Sequence, residues 1–116
     1  MTKFTVDVYG DTICPWCYIG QASLSTAIAQ HKTLFPSDTF ELRWKPFLLY
    51  PNAKISAYTK ADSIALRFGP ATPAFLARVA AAGAPYGLTF TWAGLTGSTR
   101  DSHKLLLLAG DLDDED

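Results

Sequence analysis

Cysteine, histidine and net charge are all scarce in this sequence. Its 116 residues include only two Cys and two His, and the formal net charge is −1 at pH 7. So small a charge provides no broad attraction to nucleic acid or to a membrane surface, and we expect neither as a partner. A closed zinc site needs four ligands, which here would require both Cys residues together with His31 and His103, so we expect no metal site.

A signal peptide and a membrane-spanning segment are also missing from the sequence. Residues 1–13 include Lys3, Asp7 and Asp11 and contain no continuous apolar core followed by a small-residue cleavage site. No apolar run approaches the length that crosses a bilayer. We therefore expect a cytoplasmic protein. In a reducing compartment, a lone Cys pair is typical of a catalytic, redox-sensing or metal-binding site rather than of a structural disulfide.

The composition is that of one small folded domain. Apolar residues make up 48% of the chain, and there are three Trp, five Tyr and seven Phe, which argues against an intrinsically disordered chain. Five of the last six residues are acidic, leaving six acidic against ten basic residues in positions 1–110. We predict a domain over residues 1–110 and a solvated acidic tail over residues 111–116.

Both cysteines lie in the segment Cys14-Pro15-Trp16-Cys17, which follows a predicted strand and begins a predicted helix. The unpaired N–H groups and the positive end of the helix dipole stabilise a thiolate there, so we expect the pKa of Cys14 to be lowered. The sequence therefore predicts a thiol–disulfide oxidoreductase in which Cys14 is the nucleophile and Cys17 the resolving thiol. Two inert buried thiols and a metal site are the alternatives.

Hydrophobic patterns predict a βαβ unit in the first half of the chain. Alternation predicts strands over residues 3–9 and 40–45, and the segment from Trp16 to about Lys32 is typical of a helix. Two parallel strands joined by a helix form a βαβ unit. The second half is predicted to be mostly helical, with helices over 56–68 and 72–82, a short extended segment over 88–92 and a last helix from Ser98 to Gly110.

A few other residues are candidates for supporting roles at the dithiol. Pro15 suits the first turn of the helix, and Trp16 is either a docking surface or an ordinary half-buried aromatic. Asp7, as an inward-facing carboxylate on a strand, is a candidate base for the resolving thiol, whereas Asp11 fits a turn or a cap. His103 is either a residue that orients substrate or thiolate, or an ordinary helical histidine.

Three segments resemble the DsbA-like, FrnE-type family of thioredoxin-fold oxidoreductases. They are residues 11–20, residues 43–51 and, more weakly, residues 98–105, where Ser98 and Ser102 replace the usual Asn and Ala. The resemblance implies an α/β fold in which a thioredoxin-like βαβ unit is followed by a mostly helical insertion. It also implies disulfide exchange at Cys14 and Cys17 with a protein or small-molecule thiol or disulfide. No cofactor is implied, although glutathione serves some relatives as a co-substrate.

The chain departs from that family in length. Members run to roughly twice its size, in line with ordinary domains, and their later strands have no counterpart here. We therefore expect the C-terminal half of the usual sheet to be missing, leaving a βαβ unit over residues 1–50 and a helical subdomain over residues 51–110. The uncovered apolar surface predicts a dimer or another homo-oligomer. Two other functions remain open: a non-catalytic protein that associates with a polyketide-type biosynthetic enzyme, and a glutathione-dependent isomerase or transferase.

Overall fold

The computed structural model describes residues 1–53 and 58–114, apart from the side chains of Tyr58 and residues 111–114. It divides into two compact units. The first consists of Met1–Leu49 and Thr99–Asp116, and the second of Tyr50–Ser98. The last helix thus groups with the predicted βαβ unit, whereas the sequence placed it in a helical subdomain with residues 51–110.

The first unit is built around the predicted βαβ arrangement. Strand β1 (Lys3–Gly10) leads into helix α1 (Pro15–Leu34), which returns the chain to strand β2 (Thr39–Pro46). The two strands pair in parallel along their whole length, from Lys3 opposite Thr39 to Gly10 opposite Pro46. Because both strands run the same way, the turn after β1 and the end of β2 lie at the same edge of the sheet.

Helix α1 begins at the Cys-Pro-Trp-Cys segment, as predicted. Cys14 is the N-cap residue with an extended backbone, and Pro15 occupies the first helical position, where its missing N–H group costs nothing. No side chain caps this helix end. The first backbone N–H groups of α1 are therefore available to donate hydrogen bonds to the Cys14 sulfur or to a ligand that approaches this sulfur.

The second unit contains two helices and a short antiparallel ladder. Its elements are strand β3 (Tyr58–Thr59), helix α2 (Lys60–Phe68), helix α3 (Thr72–Gly83) and strand β4 (Leu95–Thr96). The prediction that a helix begins at residue 56 is wrong at its start, because Thr59 is extended and pairs with Leu95. Thr59 also caps α2 by accepting a hydrogen bond from the Asp62 amide at 3.1 Å. Residues 56 and 57 lie outside the described residues.

The extended segment predicted over residues 88–92 does not pair as a strand. Its aromatic rings pack within the second unit instead. The Phe90 ring lies so close to α3 that a Cβ atom at Gly83 would come within 2.7 Å of it. Trp92 lies next to Phe90, with their ring centroids 6.4 Å apart. Side-chain packing on α3 therefore explains the apolar alternation of this segment.

The last helix, α4 (Arg100–Asp114), is longer than predicted. The expectation that Gly110 ends the helix is wrong, because Gly110 does not adopt the positive φ angle that terminates helices at glycine. Residues Leu105–Leu108 are 41–67% exposed. The described helices include none that is both long and apolar enough to cross a membrane.

Candidate dithiol site

Cys14 and Cys17 line the same cavity at the N-terminus of α1. Both thiols are free and partly exposed, so solvent and small reactants reach them. The cavity has a volume of about 280 Å³ and is bounded by residues from the turn after β1, from α1, from β2 and from α4. Its lining consists of Asp11, Thr12, Cys14, Cys17, Tyr18, Gln21, Trp44 and Leu106.

The pKa of the Cys14 thiol is raised above its ordinary value, contrary to the prediction from the helix N-terminus. Burial of the sulfur is the largest cause, because it penalises the charged thiolate, and the neighbouring Cys17 thiol adds to it. The backbone N–H groups of Cys17 and Trp16 act in the opposite direction. The helix N-terminus thus stabilises the thiolate as expected, but burial outweighs that stabilisation.

Asp11 is a buried carboxylate directly before the dithiol. Burial alone would raise the pKa of Asp11, but hydrogen bonds from the Thr99 side chain, the Leu49 amide, His103 and the Ile13 amide together lower it. The Leu49 N–H group donates to Oδ2 at 2.9 Å. The carboxylate therefore stays charged and joins the turn after β1 to the residues that follow β2 and to the start of α4.

The hydrogen bonds of His103 show which of its two ring nitrogens carries the proton. The Trp44 indole Nε1–H group donates to His103 Nδ1 at 3.0 Å. An indole N–H group is only a donor, so Nδ1 must carry a lone pair and no proton. The proton of the neutral imidazole is then on Nε2, which lies 3.1 Å from Asp11 Oδ1 and donates to it. These bonds make a chain Trp44–His103–Asp11 across β2, α4 and the turn after β1.

Trp44 also packs directly beside the dithiol. A Cβ atom at Gly10 would lie 3.0 Å from the Trp44 ring and 3.5 Å from Cys17 Cβ. The Trp44 indole ring and Cys17 thus both lie next to Gly10, where the side chain of another residue would come close to both. The same ring forms one wall of the cavity that holds both thiols.

A second contact joins α4 to the turn. Thr12 Oγ1 and Ser102 Oγ are 2.6 Å apart. Because the Ser102 hydroxyl donates to the Thr99 carbonyl at 2.7 Å, the proton between the two hydroxyls comes from Thr12. The start of α4 is therefore held at the dithiol turn by two independent contacts, one through Thr12 and one through Asp11.

The structure also shows where the other predicted site residues lie. Trp16 is exposed at the start of α1, and Pro15 shapes the first turn. The prediction that Asp7 faces inward is wrong: its carboxylate is exposed and lies 3.5 Å from Arg43 Nε on the neighbouring strand. Among the described residues, no group of three or more His, Cys, Asp or Glu side chains is arranged to hold a metal ion.

The sequence does not predict the roles of two residues of this site. Asp11 fits a turn or a cap, and Trp44 falls in a predicted strand and in the family-like segment over residues 43–51. The alternation of Phe40, Leu42 and Trp44 was the one available signal, since it places Trp44 on one face of β2 together with two apolar residues. Nothing in the local sequence of Asp11 indicates a histidine partner 92 positions away.

A parallel βαβ unit with a Cys-X-X-Cys segment at the start of its helix is the arrangement of the thioredoxin-like class. The family model for the DSBA-like thioredoxin domain matches residues 5–116. This chain belongs to the family of DsbA-like thioredoxin domains. The match covers the dithiol, β2, α4 and all of β1 except its first two residues, so the predicted α/β fold with a helical insertion is confirmed.

Solved structures give the same result. Four solved chains match, among them the crystal structure of a probable DsbA oxidoreductase from Streptomyces coelicolor. The two proteins are 26% identical and superpose with a TM-score of 0.73. The alignment covers 94% of this chain and 47% of the other, so the chain spans about half the length of that structure. No curated protein matches the sequence.

Proposed function

We propose that this chain is a thiol–disulfide oxidoreductase that uses Cys14 and Cys17. The observation that carries the proposal is the placement of two free thiols at the open N-terminus of α1, in one cavity, within a DsbA-like domain. The FrnE-type motifs around residues 11–20 and 43–51 favour that branch of the family.

The proposed reaction needs only the two thiols and a disulfide. The Cys14 thiolate attacks one sulfur of the substrate disulfide, forming a mixed disulfide and releasing the other sulfur as a thiolate. The Cys17 thiolate then attacks the Cys14 sulfur, which closes the Cys14–Cys17 disulfide and releases the second substrate thiolate. The substrate gains two electrons and the dithiol loses two. Two molecules of a small thiol such as glutathione return the dithiol to its reduced form and are themselves joined as a disulfide. The reverse sequence oxidises a substrate dithiol.

Each residue near the dithiol has a part in this proposal. The N–H groups of Trp16 and Cys17 stabilise the Cys14 thiolate when it forms. Pro15 fixes the first turn that presents those N–H groups, and exposed Trp16 offers an aromatic surface to the substrate. Burial keeps the Cys14 thiol mostly protonated at neutral pH, so we expect slow exchange that accelerates as the pH rises.

Insulin reduction with dithiothreitol tests the proposal. We expect the unmutated chain to accelerate precipitation of the insulin B chain, and Cys14→Ser to abolish the acceleration. Cys17→Ser is the matched control, because it keeps the nucleophile and removes only the resolving step. Equal rates for the unmutated chain and Cys14→Ser would refute the oxidoreductase function.

A second candidate function is binding through self-association. It is favoured by the exposed leucines of α4, whose removal from water would contribute roughly 25 cal/mol per Å² of apolar surface. We propose a homo-oligomer, most simply a dimer, in the cytoplasm. Light scattering at micromolar concentration tests it. A clean monomer would contradict it, and a dimer that Leu105→Glu converts to monomer would support it.

A further inference from the structure

We propose that His103 is a positioning residue, whose neutral Nε2-protonated imidazole holds the Trp44 indole in place as a wall of the dithiol cavity. This inference rests on the proposed function, because the position of that wall matters to exchange only if the dithiol reacts. His103 does not itself line the cavity and therefore acts through Trp44.

The orientation of Trp44 depends on His103. Its indole N–H group has His103 Nδ1 as its acceptor, and the two rings lie nearly parallel with centroids 5.7 Å apart. His103 is in turn fixed at its other nitrogen by the buried Asp11 carboxylate. The Trp44 hydrogen bond is partly buried, and an N–H group that loses its acceptor in such a place is disfavoured, so losing Nδ1 favours a shift of the ring.

Trp44 forms part of the surroundings of the thiols. Its ring contacts the surface of Gly10 next to Cys17 and closes one side of the cavity. Burial is the largest cause of the raised pKa of Cys14. A ring that moves away admits water, lowers that pKa and increases the thiolate population at neutral pH.

Separate variants test the two nitrogens of His103. His103→Gln keeps an amide N–H near the position of Nε2 and so retains a donor for Asp11, but it leaves Trp44 without its acceptor. His103→Asn places an amide oxygen near the position of Nδ1 and so retains the acceptor for Trp44. Trp44→Phe keeps an aromatic ring but removes the indole N–H group, which is the donor in the hydrogen bond to His103 Nδ1.

The experiment measures the iodoacetamide alkylation rate of Cys14 against pH, with the two cysteines separated by tandem mass spectrometry. For His103→Gln and Trp44→Phe we expect the alkylation midpoint to fall and the rate at pH 7 to rise by at least about twofold, the lower limit for residues coupled through direct contact. His103→Asn is expected to restore the midpoint relative to His103→Gln.

His31→Gln is the matched control. His31 also pairs with an aspartate, Asp38 at 2.7 Å, but lies in the last turn of α1, away from the thiols. We expect this variant to lower thermal stability without moving the Cys14 midpoint. An equal shift of the Cys14 alkylation midpoint in His31→Gln would mean a general loosening of the first unit and would overturn the inference. Unchanged alkylation midpoints in both His103→Gln and Trp44→Phe would overturn it as well.

A measurement on the unmutated chain keeps the inference testable even where a variant does not fold. Imidazole ¹⁵N chemical shifts at pH 7 should show His103 protonated at Nε2 and unprotonated at Nδ1. A proton on Nδ1 would contradict the proposal directly. None of these readouts requires insulin reduction, so the positioning role and the oxidoreductase function can fail independently.

Discussion

The first unit contains two His–Asp pairs, one at each end of α1, and they differ in almost every property. Asp11 and His103 are 92 positions apart in the chain, with side chains 1% and 4% exposed. Asp38 and His31 are seven positions apart, with side chains 11% and 33% exposed. The distant pair joins three separate elements at the dithiol, whereas the local pair closes the turn between α1 and β2.

The surroundings of the two histidines explain the difference. His31 lies among the rings of Phe4, Phe35 and Phe40, which leave part of it open to solvent. His103 has a hydrogen-bond partner at each nitrogen and almost no solvent. A buried polar group whose partner is removed costs more free energy than an exposed one, so the pairs should respond very differently to mutation.

Asp11→Asn is expected to have the largest effect. It removes the charge that accepts the Leu49 amide and His103 hydrogen bonds and places an amide N–H₂ group opposite a donor. We expect the free energy of unfolding at pH 7 to fall by about 2–3 kcal/mol. Urea denaturation measures it. A loss no larger than that of Asp38→Asn would contradict the distinction between the two pairs.

Gly10→Ala should have the next largest effect. A Cβ atom there would lie 3.0 Å from the Trp44 ring, so the ring must shift by a few tenths of an ångström. Because His103 holds that ring by a hydrogen bond, we expect an overpacking cost of about 1 kcal/mol. Gly20→Ala is the matched control, because nothing lies within 4 Å of its Cβ position in α1. That change should instead stabilise the helix by about 0.5–1 kcal/mol. Thermal unfolding of both variants checks the opposite signs.

Both pairs contribute to the pH dependence of stability. The pKa values of Asp11 and Asp38 are both lowered on folding, by hydrogen bonds that favour the carboxylates. Each contribution is therefore fully present above the unfolded-state pKa of about 3.9 and is lost as the pH falls through the folded-state value. Below about pH 4, we expect a shallower loss of stability in Asp11→Asn than in the unmutated chain. Identical slopes from pH 5 to pH 2 would contradict the account.

Asp38→Asn is expected to have the smallest effect. The Asp38 carboxylate accepts hydrogen bonds from the Thr2 amide and from His31, and the latter is the main reason that its pKa is lowered. Solvent replaces part of this stabilisation, so the unfolding midpoint in urea should fall only slightly. The alkylation rate of Cys14 should stay unchanged, and a shift in it would mean that the two ends of α1 are coupled.

The parts of the fold set by local sequence were predictable, whereas those set by distant contacts were not. Strand alternation and the prolines placed β1, α1 and β2 correctly, and Cys14 indeed precedes the helix. The raised pKa of Cys14 was missed, because burial is its largest cause and the cavity that holds the thiol is lined in part by residues distant in sequence, such as Trp44 and Leu106. The role of Asp11 was missed for the same reason, since its partners follow it by 38 and 92 positions.

Trapping a mixed disulfide identifies which cysteine is the nucleophile. Cys17→Ser protein is mixed with a small disulfide and its mass is measured without reductant at intervals. We expect a stable adduct on Cys14 that forms faster as the pH rises, and a much slower adduct on Cys17 in Cys14→Ser. Failure of Cys14 to form an adduct, or faster adduct formation at Cys17, would contradict the assignment of Cys14 as the nucleophile.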